Sequence, residues 1–119
     1  MTLSLAVIDV VSERDELWDR CRNALGIARL LAHESRPAAL VTTACQMAAE
    51  SACRAALAQA DLPFDGDVAR ALRALAAPSD LAAAPAGAAI GERLAATQRL
   101  VAWVAAYLRS EAPERTWGY

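Results

Sequence analysis

The chain of 119 residues contains no lysine, so all 12 of its basic side chains are arginine. It also has a single histidine, a single phenylalanine and only 5% aromatic residues. Its 12 bases stand against 14 acids, a formal charge of -2, which leaves no excess positive charge for binding nucleic acid regardless of sequence. With one histidine there is no His/Cys or His/carboxylate cluster at metal-ligand spacing, so no metal site and no cofactor is indicated. No run approaches the roughly 20 apolar residues that span a bilayer. The opening Met1–Asp9 stretch is apolar but lacks a basic leader, and Asp9 interrupts it. No signal peptide is expected, and a cytoplasmic location is the default reading. The 3 cysteines are an odd number. Cys45 and Cys53 would lie two helical turns apart, about 12 Å along one axis, too far for a disulfide. Three reduced, buried thiols are the expectation.

What the chain does have is alanine, about a quarter of all residues. Together with the arginine-only basic set, this reads as high-GC coding bias rather than as a phosphate-recognition signature. At this length the chain is one domain, 1–119, with room for a single core. The alanines concentrate between Ala38 and Ala60. Alanine is the best helix former, and small side chains let neighbouring backbones approach closely, so this stretch predicts a helix in the middle of a bundle. Its polar line runs Thr43, Gln46, Glu50, Arg54, with Glu50 four residues ahead of Arg54 in the favourable order for an ion pair.

Taken in order, residues 3–11 are ambiguous. Leu3, Leu5 and Val7 alternate like a strand, whereas Leu3, Val7, Val10 and Val11 fit one helical face. No other segment offers a partner strand, which favours helix, with Ser12 and Asp15 marking a potential break. From Asp15 the seam Leu17, Cys21, Ala24, Ala28, Leu31, widened by Trp18, Leu25 and Leu30, predicts a helix to about Ser35. Arg14, Asp19, Arg22 and Arg29 are assigned outside that seam. Ser35-Arg36-Pro37 reads as a start signal for the central helix. Asp61–Asp67 has turn chemistry. A short helix is expected at Val68–Ala76, burying Val68, Leu72 and Leu75, and one turn of helix at Leu81–Ala84 between two proline-rich breaks. The final helix, Ala88–Arg109, carries the seam Ile90, Leu94, Val101, Val104, Leu108 and beside it a second one, Leu100, Trp103, Tyr107. Pro113 ends it, and the aromatic tail 111–119 either folds back or meets another chain. The fold class is all-α, an up-and-down four-helix bundle with one short helix.

The run Ala28-Arg29-Leu30-Leu31, then Pro37-Ala38-Ala39-Leu40-Val41, then Gln46-Met47-Ala48-Ala49-Glu50-Ser51-Ala52-Cys53-Arg54-Ala55-Ala56-Leu57, resembles the HEPN (higher eukaryotes and prokaryotes nucleotide-binding) family. The likeness covers about residues 15–110. It implies a leucine-rich first helix, a Gln-x-Ala-Ala-Glu-like second helix, a short third and a long fourth. Ribonuclease members of that family carry an Arg followed by His at a spacing of four to six residues, acting on the phosphodiester. Here the sole histidine, His33, follows Arg29 with only three residues between, and Arg109 leads into Ser110-Glu111-Ala112-Pro113. The family's frequent His-Asp-Leu at the third helix is replaced by Gly66-Asp67-Val68. The resemblance therefore implies a member without the nuclease pair.

The candidate binding residues are Gln46, Glu50, Arg54, His33 and Arg36, weighed against a solvated face with one modest ion pair and a histidine that merely suits a helix C-terminus. Asp65-Gly66-Asp67 lacks the further oxygen ligands of a metal loop and reads as capping. No catalytic residue is assigned. The second seam of the last helix, Leu100, Trp103 and Tyr107, with Trp117 from the tail, is the candidate interface of a homodimer. The functional reading is a non-catalytic helical binding or assembly module, dimeric or paired with a partner such as a nucleotidyltransferase-type protein. A nucleotide or RNA ligand is not indicated by charge. The alternative is a degenerate nucleotide- or RNA-processing enzyme using a polar groove between helices.

Overall fold

A computed structural model describes residues 5–119, with side chains from Glu13 onward. The face proposed for Leu3, Val7, Val10 and Val11 lies outside the described side chains. The described residues form four helices and no strand: α1 Leu5–His33, α2 Ala38–Gln59, α3 Val68–Ala74 and α4 Ile90–Glu111. The chain is an all-α bundle. α1 continues through Ser12 without a break. No helix among the described residues is long and apolar enough to cross a membrane.

α2 is the middle element, packed on α1, α3 and α4, while α1 and α4 touch each other less. Its alanines explain this placement. Ala44, Ala48, Ala49, Ala52, Ala55 and Ala56 are all buried, with Cys45 and Cys53 among them. A helix buried on so much of its circumference must present small side chains, because neighbours close in from more than one side. The large side chains come from its neighbours: Trp18 and Leu25 on α1, Leu100, Val101, Val104 and Leu108 on α4, all fully buried.

Three helices end the same way. Ser35, Asp61 and Ala76 each adopt a positive φ, 55°, 57° and 57°. In each case the next amide reaches back five residues: Arg36 to Leu31, Leu62 to Leu57 and Ala77 to Leu72, at 3.0, 2.9 and 2.9 Å. These are Schellman closures with a non-glycine residue at the left-handed position. α3 starts on Asp67, whose side chain accepts from the Arg70 backbone N–H. Asp65 accepts from the Asp67 amide and from the Arg70 guanidinium, so the Asp-Gly-Asp segment caps and turns. α3 is two residues shorter than expected, and Leu81–Ala84 is irregular rather than helical. Leu81 nonetheless packs partly on the core.

The C-terminal tail lies on α1. Trp117 is buried, its indole N–H donating to the Ala112 carbonyl at 2.8 Å, and it meets Trp18 edge-on with centroids 5.9 Å apart. Trp18 in turn donates to the Gly118 carbonyl. Arg115 bridges Asp15 and Asp19 at 3.0 and 2.7 Å. Beneath this strap Arg14 is 3% exposed, donating to Gln59 and paired with Asp15 and Glu114. Two assignments are thereby corrected. Arg14 belongs to the buried face of α1, in register with Trp18 and Cys21, because the tail and Gln59 enclose it. Leu30, placed on the seam, is 56% exposed, since neither α2 nor α4 reaches that side of α1.

The two seams of α4 also merge. Leu100 is fully buried beside Val101 and Val104, so it faces the core and not a partner. Trp103 and Tyr107 stack on one another at 5.7 Å, half-buried, and pack against the same core. With Trp117 buried against α1, two of the four residues assigned to an interface are taken up within the chain.

Candidate functional site

A cleft of about 570 Å³ opens between α2, the start of α3 and α4. From α2 it receives Thr42, Gln46 and Glu50, one turn apart on one line; Asp67 comes from the α3 cap, and Arg93 and Thr97 come from successive turns of α4. Cys45 and Ala49 lie along its α2 wall and are buried. Helical spacing alone aligns the α2 set, since residues four apart share a face. The size is that of a site for a small polar ligand rather than a macromolecule.

The polar groups are held by short-range bonds. Gln46 donates its amide N–H to Glu50 Oε1 at 3.2 Å. Arg93 donates Nη2 to the Pro85 carbonyl at 3.2 Å, which ties the guanidinium to the segment before α4. Thr97 Oγ1 donates to the Arg93 carbonyl at 2.9 Å, turning its hydroxyl onto its own helix. Asp67 spends one oxygen on the Arg70 amide. Beside it, the Asp67 amide and the Arg70 guanidinium hold the Asp65 carboxyl below the usual carboxylate range. The lining thus offers carboxylates on the α2–α3 side and one guanidinium on the α4 side.

The expected polar line does not stay together. Gln46 and Glu50 line the cleft, but Arg54 lies elsewhere, its guanidinium 4.9 Å from the Phe64 ring centroid. The anticipated Glu50–Arg54 ion pair is absent among the described residues. Gln46, one turn earlier, bonds Glu50, and the connector after α2 offers Arg54 an aromatic face. Thr43 bonds back to the Ala39 carbonyl. His33 is exposed at the end of α1, and Arg36, 3.2 Å from Glu34, is exposed beside it. Glu50 stands twelve residues into α2, about 18 Å along the axis from that turn by the standard rise. Neither His33 nor Arg36 reaches the cleft.

Arg93 and Thr97 were not singled out by the sequence, which marks Asp67 only as part of a capping turn. One signal was present: on α4 the series Ile90, Leu94, Thr97, Val101, Val104, Leu108 keeps core spacing throughout, and Thr97 is its one polar member. A polar residue in a core-facing register marks either a satisfied backbone bond or a lined cavity; here it is both.

No protein-family model, curated protein or solved structure matches this chain.

Proposed function

We infer that the chain is a non-catalytic helical binding and assembly module whose small-molecule site is the cleft of Gln46, Glu50 and Arg93. The observation that carries this reading is the split polarity of that cleft: an acceptor set on α2 and a tethered guanidinium opposite, across a volume of about 570 Å³. Such a site suits a ligand with hydrogen-bond donors at one end and an anionic group at the other. A phosphate or carboxylate would take the planar fork of Arg93, and an amino or ring N–H would take Glu50. A mononucleotide has both ends, and the likeness of α1 and α2 to the HEPN pattern adds weight to that class. The one imidazole stands at the far end of α1, so general-base chemistry at the cleft would have to come from carboxylates alone. That geometry favours binding over turnover. The same resemblance supports pairing with a second protein, a nucleotidyltransferase-type chain included.

Isothermal calorimetry with adenosine and guanosine monophosphates tests the reading. Binding by the native chain, lost in Arg93→Ala and weakened in Glu50→Gln with the helical circular dichroism unchanged, is the expected result. No heat with any mononucleotide, or binding indifferent to both substitutions, would remove the cleft as the site and leave assembly alone.

A further inference from the structure

On the side of α2 opposite Cys45 and Ala49, the α1–α2 hairpin exposes Ile27, Leu30, Leu40 and Met47 at 52%, 56%, 50% and 56%. Four large aliphatic side chains at half exposure leave apolar surface on the order of 400 Å², as much as the largest patch a monomer usually shows. It is also about half of what each partner buries in a stable complex, close to the non-polar share such interfaces carry.

The charges around this patch follow a register. On α1, Arg20 stands seven residues before Ile27, and Glu34, in the turn that closes the helix with its amide still bonded to Leu30, stands seven after, so the three fall close to one line, two turns apart. On α2, Leu40, Met47 and Arg54 repeat that spacing. A groove between the helices is lined by Arg20 and Ile27 from α1 and by Met47, Glu50 and Arg54 from α2, which puts both arginines at one end with Glu50 one turn in from Arg54. Glu34 and Leu40 flank the connecting turn at the other. The face therefore has an end carrying Arg20 and Arg54 with Glu16 and Glu50 beside them, an apolar centre, and an end where Glu34 stands with Arg36 and Leu40.

We propose that this face is the interface with a second copy of the chain, about a two-fold axis crossing the hairpin at the level of Ile27 and Met47. Each helix then lies antiparallel on its own counterpart. Ile27 meets Ile27 and Met47 meets Met47 at the centre. Each Arg20 meets Glu34 of the other copy, and each Arg54 lays its methylene stem over Leu40. The other two-fold arrangement of the same face, with the axis along the helices, sets α1 on α2 at constant height. It brings Arg20 against Arg54, a like-charge contact. Charge complementarity selects the antiparallel form. The in-chain partners, Glu16 for Arg20 at 2.8 Å and Arg36 for Glu34 at 3.2 Å, are solvent-exposed pairs that rearrange at little cost. The interface stands independently of what the cleft binds.

Sedimentation equilibrium of the full chain at micromolar concentration tests it. The native chain is expected at dimer mass and Ile27→Glu at monomer mass, with helical circular dichroism retained because the residue is exposed. Arg20→Glu and Glu34→Arg should each weaken the dimer about tenfold, the scale of one interfacial charge contact. The double variant should recover most of that loss, since the swapped charges again face each other. A monomeric native chain overturns the proposal. So does a dimer that withstands Ile27→Glu and dissociates with Trp103→Glu, because its interface is then α4. Failure of the double variant to recover overturns the antiparallel register.

Discussion

Arg14 and Trp117 meet from opposite ends of the chain, with the guanidinium 4.9 Å from the indole centroid and both side chains buried. Arg115 lies over the same ring at 5.0 Å. Ala112 and Trp117 thus bring the last nine residues onto the core, and the stretch is not a trailing segment. Trp117→Ala should lower unfolding free energy by about 3 kcal/mol, the scale of a buried aromatic truncation. Arg115→Ala, which removes partly exposed ion pairs, should cost under about 1 kcal/mol. Urea denaturation of both variants checks the pair. A loss below about 1 kcal/mol for Trp117→Ala would mean the tail is not held as described.

The thiols follow from the same packing. Burial pushes Cys21 up to about 12, with Cys53 close by adding to it, and burial likewise pushes Cys53 up to about 12, with Glu50 adding. Their ordinary value is 9.0. Neither should react with a disulfide reagent at pH 8 until the protein unfolds, when three thiols titrate. A native thiol with raised pKa keeps its proton while the unfolded one loses it. Stability from this source is therefore intact below pH 9 and falls as pH rises from about 9 towards about 12. Denaturation midpoints that stay flat across that window would contradict the assignment, as would rapid labelling of the native chain.

Fold class was legible because alanine content, helical spacing and proline breaks all agree: α2 begins one residue after Pro37, and its alanine faces take the middle position those small side chains favour. Two things were hidden. Arg14 keeps the spacing of Trp18 and Cys21, but a charge on a seam reads as solvent-facing until a segment 100 residues away is known to cover it. The cleft was half legible for the same reason. Gln46 and Glu50 share a helix and can be paired by periodicity, whereas Arg93 joins them only through the packing of α4 on α2, which spacing along one element does not encode.

The chain should leave RNA intact. His33 is exposed at the end of α1, away from Gln46, Glu50 and Arg93, and with three residues between it and Arg29 falls one short of the four to six of a nuclease pair. Incubation with single-stranded and structured RNA, followed by gel analysis, should show no cleavage. Cleavage that vanishes in His33→Ala, and not merely with further purification, would give that histidine a catalytic role.

Ala76 offers the sharpest test of local structure. It closes α3 at φ 57°, where an L side chain crowds the carbonyl and glycine does not. The closing bonds, Ala76 N–H to the Arg73 carbonyl and Ala77 N–H to the Leu72 carbonyl, need that conformation at 3.0 and 2.9 Å. Ala76 is exposed, so its methyl contributes little packing. Relief of left-handed strain is worth about 1–2 kcal/mol, and the extra freedom of glycine in the unfolded chain takes back about 0.5–1 kcal/mol. Ala76→Gly should therefore stabilise the protein by about 0.5–1 kcal/mol. Ala76→Val, branched at Cβ, should destabilise it by a similar or larger amount. Thermal unfolding of the three chains at one pH decides. A glycine variant less stable than the native chain would show that the left-handed closure of α3 is not the state the protein adopts.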